Sequence, residues 1–166
     1  MSNEANDFSK VVIRNAKLHF RNFSGKESEY NKAGYRNFCV ELDHQLAIDM
    51  IDDGWNIKQF KPKPDQDEEP GFYIKVNVMF GNRPPKIVIK SSGEDVVVNE
   101  DTVGMLDWAE IDKVDLIFVK HNYKYGSKTG INAYLKTMYV WIVEDELEAE
   151  YEEERAGGST ETLPFD

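Results

Sequence analysis

Cysteine is nearly missing from this chain: Cys39 is the only one in 166 residues. No internal disulfide can form. With His19, His44 and His121 scattered along the sequence, one thiol also gives no zinc-ligand spacing. A reducing interior is the expected setting. No apolar run approaches the roughly 18 residues a membrane helix requires, and Met-Ser-Asn-Glu-Ala-Asn-Asp at the start lacks the basic-then-apolar pattern of a signal peptide. These absences predict a soluble, intracellular chain. Catalytic patterns are missing too, since the histidines fall in different elements, no serine sits in a nucleophile elbow, and Gly93-Glu-Asp is not a phosphate loop. Asp43, Asp49, Asp52 and Asp53 gather near one predicted helix, but exposed acids are ordinarily a solvated face. No enzyme activity, metal or cofactor is expected.

What the chain has in excess is negative charge, with 31 acids against 20 Lys and Arg and a net charge of −11. Spread evenly, that charge would repel a phosphate backbone. It is concentrated instead: residues 144–166 hold ten acids and one Arg. Two other stretches are basic. Residues 8–38 contain Lys10, Arg14, Lys17, Arg21, Lys26, Lys32 and Arg36 against Glu27 and Glu29, and residues 113–142 contain five Lys and one acid, Asp115. The length fits one domain over residues 1–143 and a flexible acidic tail over 144–166.

Residues 1–7 read as a frayed start. A long first strand from Lys10 to Phe23 can turn Val12, Ala16, Leu18 and Phe20 inward, with a bulge near Asn15–Lys17 repairing the imperfect alternation. A polar loop with two glycines, Ser24–Gly34, leads to a second strand, Tyr35–Leu42, whose Phe38, Val40 and Leu42 share one face. Asp43 caps a predicted helix over His44–Asp53 that Gly54 ends. An extended segment through Trp55, Ile57 and Phe60 precedes an acidic loop at Asp65–Glu69. The clearest period-two signal follows, with Phe72, Ile74, Val76, Val78 and Phe80 alternating with Tyr73, Lys75, Asn77 and Met79. Lys86–Lys90 and Val96–Val98 make further strands. A short helix capped by Asn99 or Asp101 and running through Trp108 adds Val103, Leu106 and Trp108 to the core. Lys113–Ile142, turning at Gly126–Gly130, is a hairpin.

Apart from the helix after the second strand, this order is that of an OB-fold. The predicted class is mainly β, a five-stranded Greek-key barrel with one or two short helices and a disordered acidic C-terminal tail. Cationic side chains interleaved with aromatics suit single-stranded nucleic acid, whose phosphates need charge and whose bases need flat platforms. The candidate binding residues are Arg14, Lys17, Arg21, Lys26, Tyr30 and Arg36 from the first stretch and Tyr73 and Lys75 from the middle strand. The hairpin adds Lys120, Tyr123, Lys124, Tyr125, Lys128, Tyr134 and Lys136. The tail passes through linker chemistry, Ala156-Gly-Gly-Ser-Thr-Glu-Thr, and ends on Leu163-Pro164-Phe165-Asp166. Its acids can occupy a cationic groove in place of DNA, and Leu163, Pro164 and Phe165 can enter a partner's pocket.

That tail resembles the acidic tip of bacterial single-stranded DNA-binding proteins, which recruits replication and repair enzymes; there Phe is the last residue, whereas here Asp166 follows it. The body, in Ala16-Lys-Leu-His-Phe-Arg-Asn-Phe-Ser-Gly-Lys-Glu-Ser-Glu-Tyr-Asn and Leu106-Asp-Trp-Ala-Glu-Ile-Asp-Lys-Val-Asp-Leu-Ile, resembles phage-encoded single-stranded DNA-binding proteins with an OB-fold. The resemblance implies sequence-independent binding that protects and organises single strands during phage replication and recombination in the cytoplasm of an infected bacterium. The expected partners are single-stranded DNA and phage or host replication and repair proteins, with self-association left open and no membrane. The alternative is an interaction adaptor or acidic DNA mimic acting on a host nucleic-acid enzyme. A metal-dependent nuclease ranks behind both.

Overall fold

A computed structural model of the chain describes residues 9–65 and 69–143. The frayed start expected over 1–7, the middle of the acidic loop and the tail expected over 144–166 lie outside the described residues.

The first strand predicted over Lys10–Phe23 forms as two pieces, β1 (Lys10–Ile13) and β2 (Leu18–Asn22). Between them Asn15 takes φ 53°, a left-handed conformation that Asn tolerates better than most residues. Its backbone N–H donates to Asp115 Oδ1 at 2.9 Å. Ala16 N donates to Val114 O and Glu41 N to Lys17 O, so the bend passes the chain from one sheet neighbour to another. The remaining strands are β3 (Arg36–Leu42), β4 (Ile57–Gln59), β5 (Phe72–Val78), β6 (Lys86–Lys90), β7 (Asp95–Val98), β8 (Ile111–Tyr125) and β9 (Lys128–Ile142).

The main ladder runs β1-β8-β9-β5-β3-β2. It is open between β1 and β2, but those are consecutive pieces of one bent strand, so the sheet curls until the backbone at 14–17 spans the gap. All neighbours on this path pair antiparallel except β5 and β9, which are parallel. Merging β1 with β2 leaves five long strands in the order expected of the predicted fold. Beyond β5, strand β6 continues along β9, also parallel, and carries β7 on its other side.

Between β3 and β4 lies α1 (His44–Asp53). Asp43 caps it by accepting from Leu46 N, and Gly54 closes it at φ 104°. Ala47 and Met50 face the barrel and are fully buried. The core is apolar throughout, built on Phe23, Phe38, Ile74, Val76, Leu116, Phe118, Met138 and Val140. Phe23 stacks on Phe38 at 5.0 Å and Trp55 meets Phe118 edge-on at 5.5 Å. Each such side chain contributes on the order of 2–3 kcal/mol on leaving water.

Three residues expected in this core lie outside it. Val12 is exposed and Val11 is buried in its place. Phe20 is 65% exposed, and its φ of 53° is a second phase reset that sends Phe23 inward instead. Trp108 is 74% exposed. The helix expected there is a 3-10 turn, Val103–Asp107. With three residues per turn, Val103 and Leu106 share the inner side and Trp108 falls off it.

Candidate nucleic-acid interface

The outer face of β2, β3, β5 and β4 is set by cross-strand register. His19 lies opposite Cys39, Glu41 opposite Tyr73, Cys39 opposite Lys75, and Lys58 opposite Tyr73. Tyr73 and Lys75 therefore share one face, as their alternation predicts. Four rings gather at its end: Phe60 and Tyr73 with centroids 4.5 Å apart, Phe20 and Tyr73 at 5.9 Å, and His19 and Phe60 at 4.9 Å. His19 Nε2 is also 3.2 Å from Glu41 Oε1, at ion-pair distance without hydrogen-bond alignment. The rings line an open trough of about 750 Å³ whose rim includes Lys61 and Lys63. Phe20 reaches it from a backbone conformation that costs an L-residue about 1–2 kcal/mol. The same conformation turns Phe23 into the core and leaves the Phe20 ring in solvent at the trough.

Next along this face, Cys39 is buried beneath Lys75 and Lys58. Burial pushes its thiol from 9.0 up to about 11, with the two lysines pulling it back down. Because the folded value is the higher one, the folded state holds its proton more tightly. The stability this confers is complete below pH 9 and declines as pH rises from 9 through 11. Native chain is expected to resist iodoacetamide at pH 8 and to label fully once denatured. Rapid labelling of native chain at pH 8 would contradict this.

The other candidates occupy three further places. In the loop after β2, Lys26 stands over Trp108 with its Nζ 4.6 Å from the ring centroid. Asn22 Oδ1 accepts from Lys26 N, while Asn22 and Asn31 side-chain amides donate to Lys26 O. Tyr30 in the same loop is 88% exposed, and Lys17 is exposed at the bend. At the far end of β3, Arg36 lies 3.5 Å from Glu100 and over the Phe80 ring.

On the hairpin, Gly126 turns the chain at φ 63° and Lys124, Tyr125 and Lys128 are exposed. Tyr123 lies on Gly130 so closely that any Cβ there would overlap its ring. Tyr134, opposite Asn77 of β5, stacks on His121 at 4.1 Å with 11° between planes. Lys136 is exposed farther along β9.

Besides Arg36 with Glu100, three cationic candidates have partners within the fold. Arg21 donates to Leu106 O and Ala109 O, both at 2.8 Å. Lys120 pairs with Asp53 at 2.9 Å, and Asp53 also accepts from Trp55 Nε1. Arg14 sits 4.0 Å from Asp115. Sequence reasoning passed over Phe20, Phe60, Lys58, Lys61, Lys63 and Trp108. The run Lys58-Gln-Phe-Lys-Pro-Lys63 carries its own basic-aromatic signal. Among the described residues, no three His, Cys, Asp or Glu side chains come together to hold a metal ion.

No curated protein matches the chain. The single-stranded DNA-binding protein of bacteriophage Enc34, solved in complex with ssDNA, superimposes with a TM-score of 0.54 at 12% identity, covering 84% of this chain and 89% of that one. Another structure of the Enc34 protein gives 0.51 at 11% identity over 96% and 90%. Identities this low speak for the fold alone. The model of the phage ssDNA-binding domain family, however, matches residues 2–156, nearly the whole chain, and the chain belongs to that family.

Proposed function

We propose that this chain is a non-enzymatic, sequence-independent single-stranded DNA-binding protein. In this reading it protects and organises single strands during phage replication and recombination in the bacterial cytoplasm. The observation that carries the reading is the trough, where Phe20, Phe60 and Tyr73 offer ring surface beside Lys58, Lys61, Lys63 and Lys75. Rings bind bases of any identity and ammonium groups bind the phosphates between them, which yields affinity without sequence preference. Family membership and the ssDNA complex of the Enc34 protein support the same ligand. The Lys26–Trp108 pair and the Tyr123, Lys124 and Tyr125 hairpin tip extend the proposed surface on either side.

Residues 144–166 form the proposed acidic tail, which competes with DNA for the cationic surface and offers Leu163-Pro164-Phe165 to replication or repair proteins. Fluorescence anisotropy with a labelled thirty-nucleotide strand, run beside duplex and RNA, tests the central reading. Absence of binding at low salt would sink it. Removing 144–166 is expected to tighten binding, most at low ionic strength, because a tethered polyanion is gone. Equal affinity of both forms across a salt series would exclude self-competition.

A further inference from the structure

A second cationic and aromatic surface lies outside the trough. Past Tyr134, the outer face of β9 presents Tyr139 and Trp141. The register sets Lys90 of β6 on one side of Trp141 and Lys113 of β8 on the other. Lys86 and Lys90 hold their ammonium groups 5.7 and 5.3 Å from the Tyr139 centroid, and Lys113 holds its own 4.7 Å from that of Trp141. Three acids share the face. Asp95 is 2.9 Å from Lys90, Asp115 is 3.8 Å from Lys113 and 4.0 Å from Arg14, and Asp112 lines a shallow pocket with Lys90 and Trp141. With Arg14 beside the three lysines, cations still outnumber acids there by one.

Exposed lysines commonly guard a sheet edge, and that role does not cover Lys90, which lies between Asp95 of β7 and Trp141 of β9. The β7 register begins one residue past Lys86, and β1 meets β8 only over Leu116–Val119, beyond Lys113. Edge protection asks only that a lysine reach solvent, whereas all three ammonium groups here turn onto two rings.

The geometry points to a second contact surface for single-stranded DNA, in which Tyr139 and Trp141 take bases and Lys86, Lys90 and Lys113 take phosphates. This inference rests on the proposed function and extends it. The surface continues from the first: Tyr134 lies opposite Asn77 of β5, and Tyr139 and Trp141 follow it by five and seven residues. At about 3.3 Å per residue that is roughly 16–23 Å along the strand. A strand crossing β5 can run on along β9, so short and long strands meet different numbers of contacts.

The test is anisotropy on the full chain with labelled oligothymidines of about 6 and about 20 nucleotides, the first within and the second beyond the roughly 4–16 nucleotides that one such barrel usually covers. In the K86A/K90A/K113A variant, binding of the short strand is expected to match wild type. The long strand should bind about tenfold more weakly, and its log–log salt slope should shrink by about 2, the loss of three single-strand phosphate contacts. The quenching by the long strand that is lost in a W141F variant, which isolates Trp141 from Trp55 and Trp108, should be absent with the short one. If the alanine variant melts early, the K86Q/K90Q/K113Q variant takes its place with the same expectations.

Wild-type affinity and slope on the long strand would overturn the inference, as would equal losses on both lengths. Tighter binding by the variant would overturn it too. A wild-type chain that binds neither length would overturn the DNA-binding reading itself, a distinguishable result.

Discussion

The F20A/Y73A variant is expected to bind single-stranded DNA at least about 30-fold more weakly than the wild type while melting within a few degrees of it. Each base-stacking ring contributes on the order of 1–3 kcal/mol, so losing two costs about 2–6 kcal/mol, or roughly 30-fold to about 20,000-fold. Folding should be little affected. Phe20 is mostly exposed and Tyr73 half-buried, and neither belongs to the core. Surface changes of this kind usually stay within about 0.5 kcal/mol. The salt slope should hardly change, because no phosphate contact is removed. The K58A/K75A variant should do the reverse, flattening the slope with a smaller loss of affinity. Anisotropy across a salt series separates the two, and an F20A/Y73A dissociation constant within threefold of wild type would remove the trough from the binding site.

The strand that presents Tyr73 and Lys75 was legible because one of its faces is buried, which imposes period two on Phe72–Val78. The same holds for Tyr35–Leu42, and for the helix that Asp43 caps and Gly54 ends. Phe20 was misassigned because alternation assumes one unbroken strand. Positive φ at Asn15 and again at Phe20 resets the phase twice within six residues. Trp108 was misassigned because a helical period does not describe a 3-10 turn. The ring cluster was illegible for a different reason. Its members come from β2, β5 and the segment after β4, and only long-range register brings them together. Charge counting on the hairpin likewise merged lysines with separate fates: Lys120 faces Asp53, Lys113 covers Trp141, and Lys124 and Lys128 stand at the tip.

Asp107→Ala should destabilise the protein more than substitution of any exposed acid and should loosen the loop that carries Lys26 and Tyr30. Its carboxylate accepts from Phe23 N at 2.6 Å, Ser24 N at 3.0 Å and Ser24 Oγ at 2.5 Å, tying the exit of β2 to the 3-10 turn. Arg21 ties the same junction from the other side through Leu106 O and Ala109 O. Space there is tight, since a Cβ on Gly104 would stand 3.3 Å from that of Ser24. Alanine at 107 leaves two partly buried backbone donors unpaired, at about 1–3 kcal/mol each. The total, about 2–6 kcal/mol, corresponds to a melting temperature lower by roughly 4–24 °C. Asp101→Ala, on the exposed side of the same turn, should change stability by less than about 0.5 kcal/mol. In a double-mutant cycle, Ser24→Ala should show coupling to Asp107 on the order of 1 kcal/mol, because the hydroxyl and carboxylate interact directly. Hydrogen exchange at Ser24–Gly34 should speed up in the Asp107 variant while the β8–β9 ladder stays protected. A melting shift under about 2 °C would mean that water satisfies those donors and that the loop which places Lys26 over Trp108 is held by Asn22 and Asn31 instead.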